Sequence, residues 1–298
     1  MPPAALPSRW LPRGRARLAG LALLAVATTA GAGCAGATTA PTRPADPASG
    51  TAPHPSASRA PLSDPAALIR RVAARYPVGY RFALAHGAQV LADPATGGFT
   101  VHSTRPARPG ALIVVLHGHN SSTFREWTAW EPYAAAHGYG LVTVEWQLRF
   151  GRDTSFLDPQ TLYDLIVRTV RAVGVAPGHV LLHGFSQGSH EVFGLTQLDR
   201  AGARIVGLTL AESGGTRDTT PLASLAGSRW VLYCAGRDQY AYLTGCGRMR
   251  QSAAFLRASG ARVDRFLVNP TGRHGSLLYD PPLVESALAD FATILAGR

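Results

Sequence analysis

The segment that decides the fold covers residues 180–188 and reads Val-Leu-Leu-His-Gly-Phe-Ser-Gln-Gly. An apolar run of strand length leads into a Gly-x-Ser-x-Gly pentapeptide, and a stretch of helical length follows at 187–200. A serine on so tight a turn needs neighbours without side chains, and Gly184 and Gly188 supply them. The pattern predicts that the turn exposes the hydroxyl of Ser186 at the carboxyl end of the strand. The alternative is a glycine-rich packing turn without a chemical role.

Strands and helices alternate along the rest of the chain. Several predicted strands are continuous apolar runs, which is typical of strands buried on both faces. The pattern predicts an α/β fold, with a doubly wound, mostly parallel sheet flanked by helices. The connection at 212–228 is too short for a cap domain, so we expect an open cleft. The predicted strands lie at 99–104, 111–117, 140–146, 179–185, 205–211, 229–234 and 263–268, and the predicted helices at 125–137, 162–173, 187–200 and 248–258, after a first helix that begins at Pro65.

The sequence around Ser186 resembles that of the α/β-hydrolase family. Residues 182–188, Leu-His-Gly-Phe-Ser-Gln-Gly, are most similar to the compact carboxylesterase and phospholipase branch, and the resemblance covers about residues 65–298. Ser189 departs from this branch, which often has a further glycine there. The resemblance implies a serine hydrolase with Ser186 as nucleophile, an acid after a later strand and a histidine after the last strand, and it implies no cofactor or metal.

Asp238 and His274 stand where the resemblance puts the other two members of a catalytic triad. Asp238 follows the predicted strand at 229–234 and would hold the histidine in one tautomer. Glu212, after the preceding strand, is the rival acid, and a solvated loop aspartate is the alternative interpretation of Asp238. Of the ten histidines, His274 alone follows the last predicted strand, and glycines close on both sides allow its loop to bend.

The segment 116–120, Leu-His-Gly-His-Asn, resembles the His-Gly turn that supplies part of the oxyanion hole in this family. The resemblance implies that the main-chain N–H groups of His119 and Gln187 are the donors. The alternative interpretation of His117 and His119 as metal ligands lacks a third ligand at a suitable spacing.

Aromatic residues cluster near the predicted cleft. Trp146 at a strand end and Tyr240 in a later loop are predicted to wall the substrate pocket, with Phe150, Phe156 and Tyr242 nearby. Ordinary packing of long loops explains the cluster equally well.

The N-terminal residues 1–34 have the composition of an export signal. They combine an Arg-rich start, an apolar run and small residues before Cys34. The Ala-Gly-Cys ending resembles a bacterial lipoprotein signal, in which Cys34 becomes the lipidated first residue, although Gly31 departs from that pattern. Cleavage at an ordinary small-x-small site, which would release a soluble protein, is the alternative.

The remaining chain divides by composition into two parts. Residues 35–62 are rich in Ala, Pro, Thr and Ser and predict a disordered tether, because such a segment cannot bury a core. Residues 63–298 are predicted to form one catalytic domain. Within it, Cys234 and Cys246 form an even pair once Cys34 is set aside, which predicts a disulfide bond. Two buried free cysteines are the alternative.

The distribution of basic residues along the chain bears on whether the protein binds nucleic acid. All 29 basic residues are arginine, and the formal net charge is +11. The arginines are scattered through apolar segments and do not cluster with a recognition motif, so we expect no nucleic-acid partner.

These patterns together predict an exported, monomeric serine hydrolase that is membrane-anchored or secreted. It would cleave carboxylic esters of small molecules or polymers through an acyl-enzyme intermediate. A peptidase or thioesterase on the same fold is one alternative. An inactive, tethered binding protein is the other.

Overall fold

The computed structural model describes residues 64–103 and 110–297. The predictions for the signal segment, Cys34 and the tether lie outside these residues. The strands are β1 (Ala88–Asp93), β2 (Gly98–Ser103), β3 (Leu112–Leu116), β4 (Gly140–Glu145), β5 (Gln147–Arg149), β6 (Ser155–Phe156), β7 (Val180–Phe185), β8 (Val206–Glu212), β9 (Arg229–Ala235) and β10 (Arg262–Asn269). The helices are α1 (Pro65–Arg75), α2 (Pro77–Ala85), α3 (Thr123–His137), α4 (Pro159–Val173), α5 (Gln187–Ala201), α6 (Ala241–Thr244), α7 (Cys246–Ala258) and α8 (Pro281–Ala296).

Eight strands form one sheet in the order β1-β2-β4-β3-β7-β8-β9-β10. The pairs β1 with β2 and β2 with β4 are antiparallel, and all the other neighbours are parallel. The predicted mostly parallel sheet is therefore confirmed. The sequence pattern does not indicate β1, because this edge strand is largely exposed and lacks an apolar run.

Helices cover both faces of the sheet, and the side chains of β3 alternate between the two cores. Leu112 and Val114 pack in one core with residues of α4, α5 and α7. Ile113 and Val115 pack in the other core with residues of α1, α3 and α8. This double burial explains why β3 is a continuous apolar run in the sequence.

The connection between β8 and β9 carries no cap domain. Between Glu212 and Arg229 the chain forms a single 3₁₀ turn, Ala223–Leu225. The carboxyl ends of the central strands are therefore left accessible, as the short connection predicts. Among the helices of residues 64–103 and 110–297, none has both the length and the apolar character needed to span a bilayer.

Candidate active site

Ser186 lies on the sharp turn between β7 and α5. Its backbone has φ 54° and ψ −111°, a conformation that a non-glycine residue rarely adopts. The N–H of Ser186 donates to the carbonyl of Glu212 at 2.9 Å, which ties the turn to the end of β8. A Cβ added to Gly184 would lie 2.2 Å from the carbonyl oxygen of Gly188, and one added to Gly188 would lie 2.5 Å from that of Leu116. Both glycines are therefore required by close backbone approach.

The structure brings Ser186, His274 and Asp238 into one chain of hydrogen bonds. Nε2 of His274 lies 2.8 Å from Oγ of Ser186, and Nδ1 lies 2.9 Å from Oδ2 of Asp238. A carboxylate only accepts hydrogen bonds, so Nδ1 carries the proton and Nε2 is free to accept from the serine hydroxyl. Gly275, at φ 74°, lets the loop after β10 pass close to Phe185.

Asp238 is held by two further donors. It is 6% exposed, its Oδ1 accepts from the N–H of Tyr240 at 2.8 Å, and its Oδ2 accepts from the hydroxyl of Thr244 at 2.9 Å. Burial raises the pKa of Asp238, but the hydrogen bonds from His274, Tyr240 and Thr244 outweigh it, and the pKa lies below its ordinary value. Asp238 is therefore an ionised acceptor for His274. Thr244 is not indicated by any motif in the sequence.

Glu212, the rival acid, has other partners. Its Oε2 lies 3.2 Å from Nε2 of the buried His183, and its Oε1 accepts from the N–H of Leu277 at 3.0 Å. Glu212 therefore braces the loop that carries His274, while Asp238 makes the direct contact with the imidazole.

The predicted oxyanion donors border the same cavity as Ser186. This cavity has a volume of about 560 Å³, and His119, Gln187, Ser186 and His274 all line it. Gln187 is the first residue of α5, so its N–H has no acceptor within the helix. The turn at His119 is anchored one residue later, where the N–H of Asn120 donates to the side chain of Gln147 at 3.1 Å.

His117 is occupied by structural contacts. It is fully buried, with Nε2 2.9 Å from Oε1 of Glu145 and Nδ1 2.8 Å from the carbonyl of Gly118. Burial lowers the pKa of His117, but the charge of Glu145 and the hydrogen bonds to Glu145 and Gly118 outweigh burial, so the pKa lies above its ordinary value. Among the described residues, no three metal-ligating side chains are grouped to hold an ion.

The fold is similar to that of several solved structures, although no protein-family profile and no curated protein matches the chain. The hyperthermophilic esterase from the archaeon Pyrobaculum calidifontis aligns over 79% of this chain and 98% of its own, with 13% identity and a TM-score of 0.53. A thermophilic, thermostable carboxylesterase cloned from a metagenomic library aligns over 79% and 98%, with 14% identity and a TM-score of 0.52. The chain has the α/β-hydrolase fold.

That conclusion rests on these two structures and on the strand order. A third structure, a thermostable esterase, aligns over 68% of this chain with 16% identity and a TM-score of 0.47, and this chain spans 62% of that esterase's length. In an α/β-hydrolase fold the serine, acid and histidine follow one another along the chain. Ser186, Asp238 and His274 have this order.

The walls of the cavity differ in part from those predicted. Tyr240 lines it, is 48% exposed and packs edge-on against His274 with ring centroids 5.1 Å apart. Trp146 does not line it. The indole is 1% exposed, packs against Phe156 and donates to the carbonyl of His117 at 3.1 Å, because the end of β4 points it into the core. Its role in this α/β-hydrolase fold is to support the turn before His119.

The lining also contains residues that the sequence does not indicate, such as Arg125 from the first turn of α3 and His190 from α5. Tyr242, which the sequence places near the cleft, lies on α6 and lines the cavity as well. Each lies far in sequence from at least one of its neighbours in the lining, so only the folded chain brings them together.

The structure contains a disulfide bond between Cys234 in β9 and Cys246 at the start of α7, with Cα atoms 5.0 Å apart. It closes the loop that carries Asp238, Tyr240 and Thr244. The bond therefore restrains the segment that presents the carboxylate to His274.

Proposed function

We propose that this protein is a serine hydrolase that cleaves carboxylic esters. The observation that carries the proposal is the hydrogen-bonded series Asp238, His274 and Ser186, with contacts of 2.9 and 2.8 Å, at the edge of an accessible cavity. The strained backbone of Ser186 supports it, because strain of this kind persists where a side chain must be held in one direction.

The first half of the reaction forms an acyl-enzyme. Oγ of Ser186 attacks the ester carbonyl carbon while its proton passes to Nε2 of His274. Asp238 stabilises the imidazolium that results. The carbonyl oxygen, now negative, accepts hydrogen bonds from the N–H groups of His119 and Gln187, each worth about 3 kcal/mol in the transition state. The imidazolium then gives its proton to the departing alkoxide, which leaves as the alcohol.

The second half of the reaction restores the enzyme. Water enters in place of the alcohol, and His274 takes one of its protons as the oxygen attacks the acyl carbon. Collapse of the second tetrahedral intermediate breaks the bond to Ser186. The proton returns to the serine oxygen and the carboxylic acid leaves. Every proton in this sequence moves through one nitrogen atom, so the contact between Nε2 and Oγ is indispensable.

Esters are the preferred substrate class because both neighbours with a TM-score above 0.5 described above are esterases by name. The fold alone also accommodates amide and thioester hydrolysis, since function depends on the site. A panel of matched ester, thioester and amide substrates distinguishes these activities. We expect the ester to have the highest kcat/KM, and faster cleavage of the amide would reject the assignment.

We propose in addition that the protein is exported. The disulfide bond between Cys234 and Cys246 supports an oxidising compartment. The export signal at 1–34, lipidation at Cys34 and the tether at 35–62 are proposals from the sequence, and so is the catalytic domain at 63–298.

The decisive test is the replacement Ser186→Ala with the matched control Ser155→Ala. Ser155 lies on the short β6 and does not line the cavity. The Ser186→Ala variant should fold normally, lose ester hydrolysis and lose labelling by a fluorophosphonate probe. The Ser155→Ala variant should retain both. Ester hydrolysis that survives in Ser186→Ala would refute the mechanism.

A further inference from the structure

A second cavity adjoins the catalytic cavity. It has a volume of about 410 Å³, and Arg237, Gln239 and Arg273 line it. Gln239 also lines the catalytic cavity, so the two cavities share a wall. A ligand with its ester group at Ser186 therefore lies next to a space lined by two arginines.

The loops that carry Arg237 and Arg273 are joined by the same contacts that bring Asp238 to His274. Arg237 directly precedes Asp238, and Arg273 directly precedes His274. The N–H of Arg237 donates to the carbonyl of Gly272 at 2.9 Å, which ties the loop after β9 to the loop after β10. The contact of 2.9 Å between His274 and Asp238 joins the same loops through side chains. These contacts fix the main-chain positions of Arg237 and Arg273, the arginine pair, relative to the catalytic cavity.

Both guanidinium groups are available to a ligand. Arg237 and Arg273 are exposed, and neither pairs with a carboxylate in the part of the chain that the structure describes. Arg229 and Arg265, by contrast, each bind an aspartate at 2.7 Å. The charge of the arginine pair is therefore not neutralised within residues 64–103 and 110–297.

The catalytic cavity has the same charge imbalance. Arg125 lines it, and no aspartate or glutamate of the described residues does. His190 also lines this cavity. Its pKa lies below the ordinary value mainly because the imidazole is buried; a hydrogen bond to Gly215 opposes this, and the charges of Arg217 and Arg248 make a smaller contribution in the same direction as burial. Arg125, Arg237 and Arg273 in the two linings favour an anionic ligand, and the ionised Asp238 behind His274 opposes it in part.

We propose that Arg237 and Arg273 bind a carboxylate carried by the substrate, so that the preferred substrates are anionic esters such as half esters of dicarboxylic acids. The proposal rests on ester hydrolysis at Ser186. A guanidinium group matches a carboxylate with two parallel N–H donors, and such charge-assisted hydrogen bonds are stronger than neutral ones. The arginine pair positions the substrate and takes no part in proton transfer.

The test compares the double variant Arg237→Gln/Arg273→Gln with a matched double variant, Arg171→Gln/Arg257→Gln. Arg171 and Arg257 are exposed arginines on helices and line neither cavity. Both double variants lose two positive charges. A difference between them therefore reports the arginine pair and not the net charge of the protein.

Two substrate pairs are used because the carboxylate can lie on either side of the scissile bond. Monoethyl adipate against diethyl adipate tests the acyl side, and 3-acetoxybenzoate against its methyl ester tests the alcohol side. The ratio of kcat/KM, anionic over neutral, should fall by roughly tenfold to a hundredfold for at least one pair in Arg237→Gln/Arg273→Gln. It should stay constant in the matched variant. Equal ratios in all three proteins, for both pairs, would overturn the proposal.

A binding measurement separates this proposal from the proposed function. Calorimetric titration of monoethyl adipate and 3-acetoxybenzoate into Ser186→Ala should give binding that weakens in 0.5 M NaCl and disappears when Arg237→Gln/Arg273→Gln is added. Such binding without turnover in the wild type would refute ester hydrolysis and retain the carboxylate site. Binding that the arginine replacements leave unchanged, or no binding to Ser186→Ala, would refute the carboxylate site.

Discussion

Replacing Thr244 by valine tests how Asp238 is held. Thr244 is buried, and its hydroxyl lies 2.9 Å from Oδ2 of Asp238, the oxygen that also faces Nδ1 of His274. Valine has nearly the same shape as threonine but no hydroxyl, so Thr244→Val removes this donor with little change in packing. Thr244→Ser keeps the donor and is the matched control.

The expected loss is about 1.5 kcal/mol, the low end for a hydrogen bond to a charged group. The low end applies because His274 and the N–H of Tyr240 lower the pKa of Asp238 more than Thr244 does. A loss of this size in the transition state corresponds to about a tenfold fall in kcat/KM. We expect the fall in kcat with KM unchanged, because Thr244 orients the histidine through Asp238.

The same replacement should alter the dependence of stability on pH. The pKa of Asp238 is lowered in the folded state, so its ionisation contributes stability above its unfolded pKa of about 3.9, and this contribution is lost as pH falls through the folded value. Thr244→Val raises the folded pKa towards the ordinary one. The variant should therefore be less stable than the wild type in urea at pH 7, and the difference should shrink below pH 4.

Two results would refute this reasoning. One is a Thr244→Val variant with the kcat and urea midpoint of the wild type, which would mean that the hydroxyl contributes nothing to Asp238. The other is a Thr244→Ser variant as impaired as Thr244→Val. In that case the methyl group of Thr244, and not its hydrogen bond, would be the important feature.

Three further predictions concern stability and location. Cys234→Ala/Cys246→Ala opens a loop with a sequence separation of 12 and should lower the free energy of unfolding by about 3 kcal/mol; an unfolding midpoint in urea equal to that of the non-reduced wild type would contradict this. Burial lowers the pKa of His102 to about 4, so between pH 6.5 and 4 the unfolded state binds the extra proton, and stability should fall by roughly 2 kcal/mol from pH 7 to pH 5. His102→Asn should lose this part of the pH dependence in urea titrations. In a bacterial host, Cys34→Ser should move the protein from the membrane to the soluble fraction or stall its processing, and a wild type that is wholly soluble would reject lipidation.

Local sequence determined the elements of this protein and the type of chemistry its turns could carry. The apolar run ending in Gly-x-Ser-x-Gly predicts strand, turn and helix, and the steric demand on Gly184 is local because it comes from the backbone of Gly188. The demand on Gly188 comes from the backbone of Leu116, so it is set by the fold. Burial on both faces of the sheet leaves continuous apolar runs, so the strands β3, β4, β7, β8 and β9 were predictable to within about two residues. The exposed edge strand β1 leaves no such pattern.

Only the tertiary structure decided which side chains meet. Trp146 has the position and chemistry of a pocket wall in the sequence, yet the end of β4 directs it into the core beneath His117. Thr244 donates to Asp238 and Glu212 braces the loop at Leu277, and no motif records either contact.

The physical reason is that loops from distant strands converge at one edge of the sheet. The 2.9 Å contact between the main chains of Arg237 and Gly272 joins segments that follow different strands, β9 and β10. The composition shows that arginine outnumbers aspartate and glutamate together, but it does not show where the arginines lie in the folded chain. The fold brings Arg237 and Arg273 together beside His274, because parallel strands present their carboxyl-terminal loops on the same side.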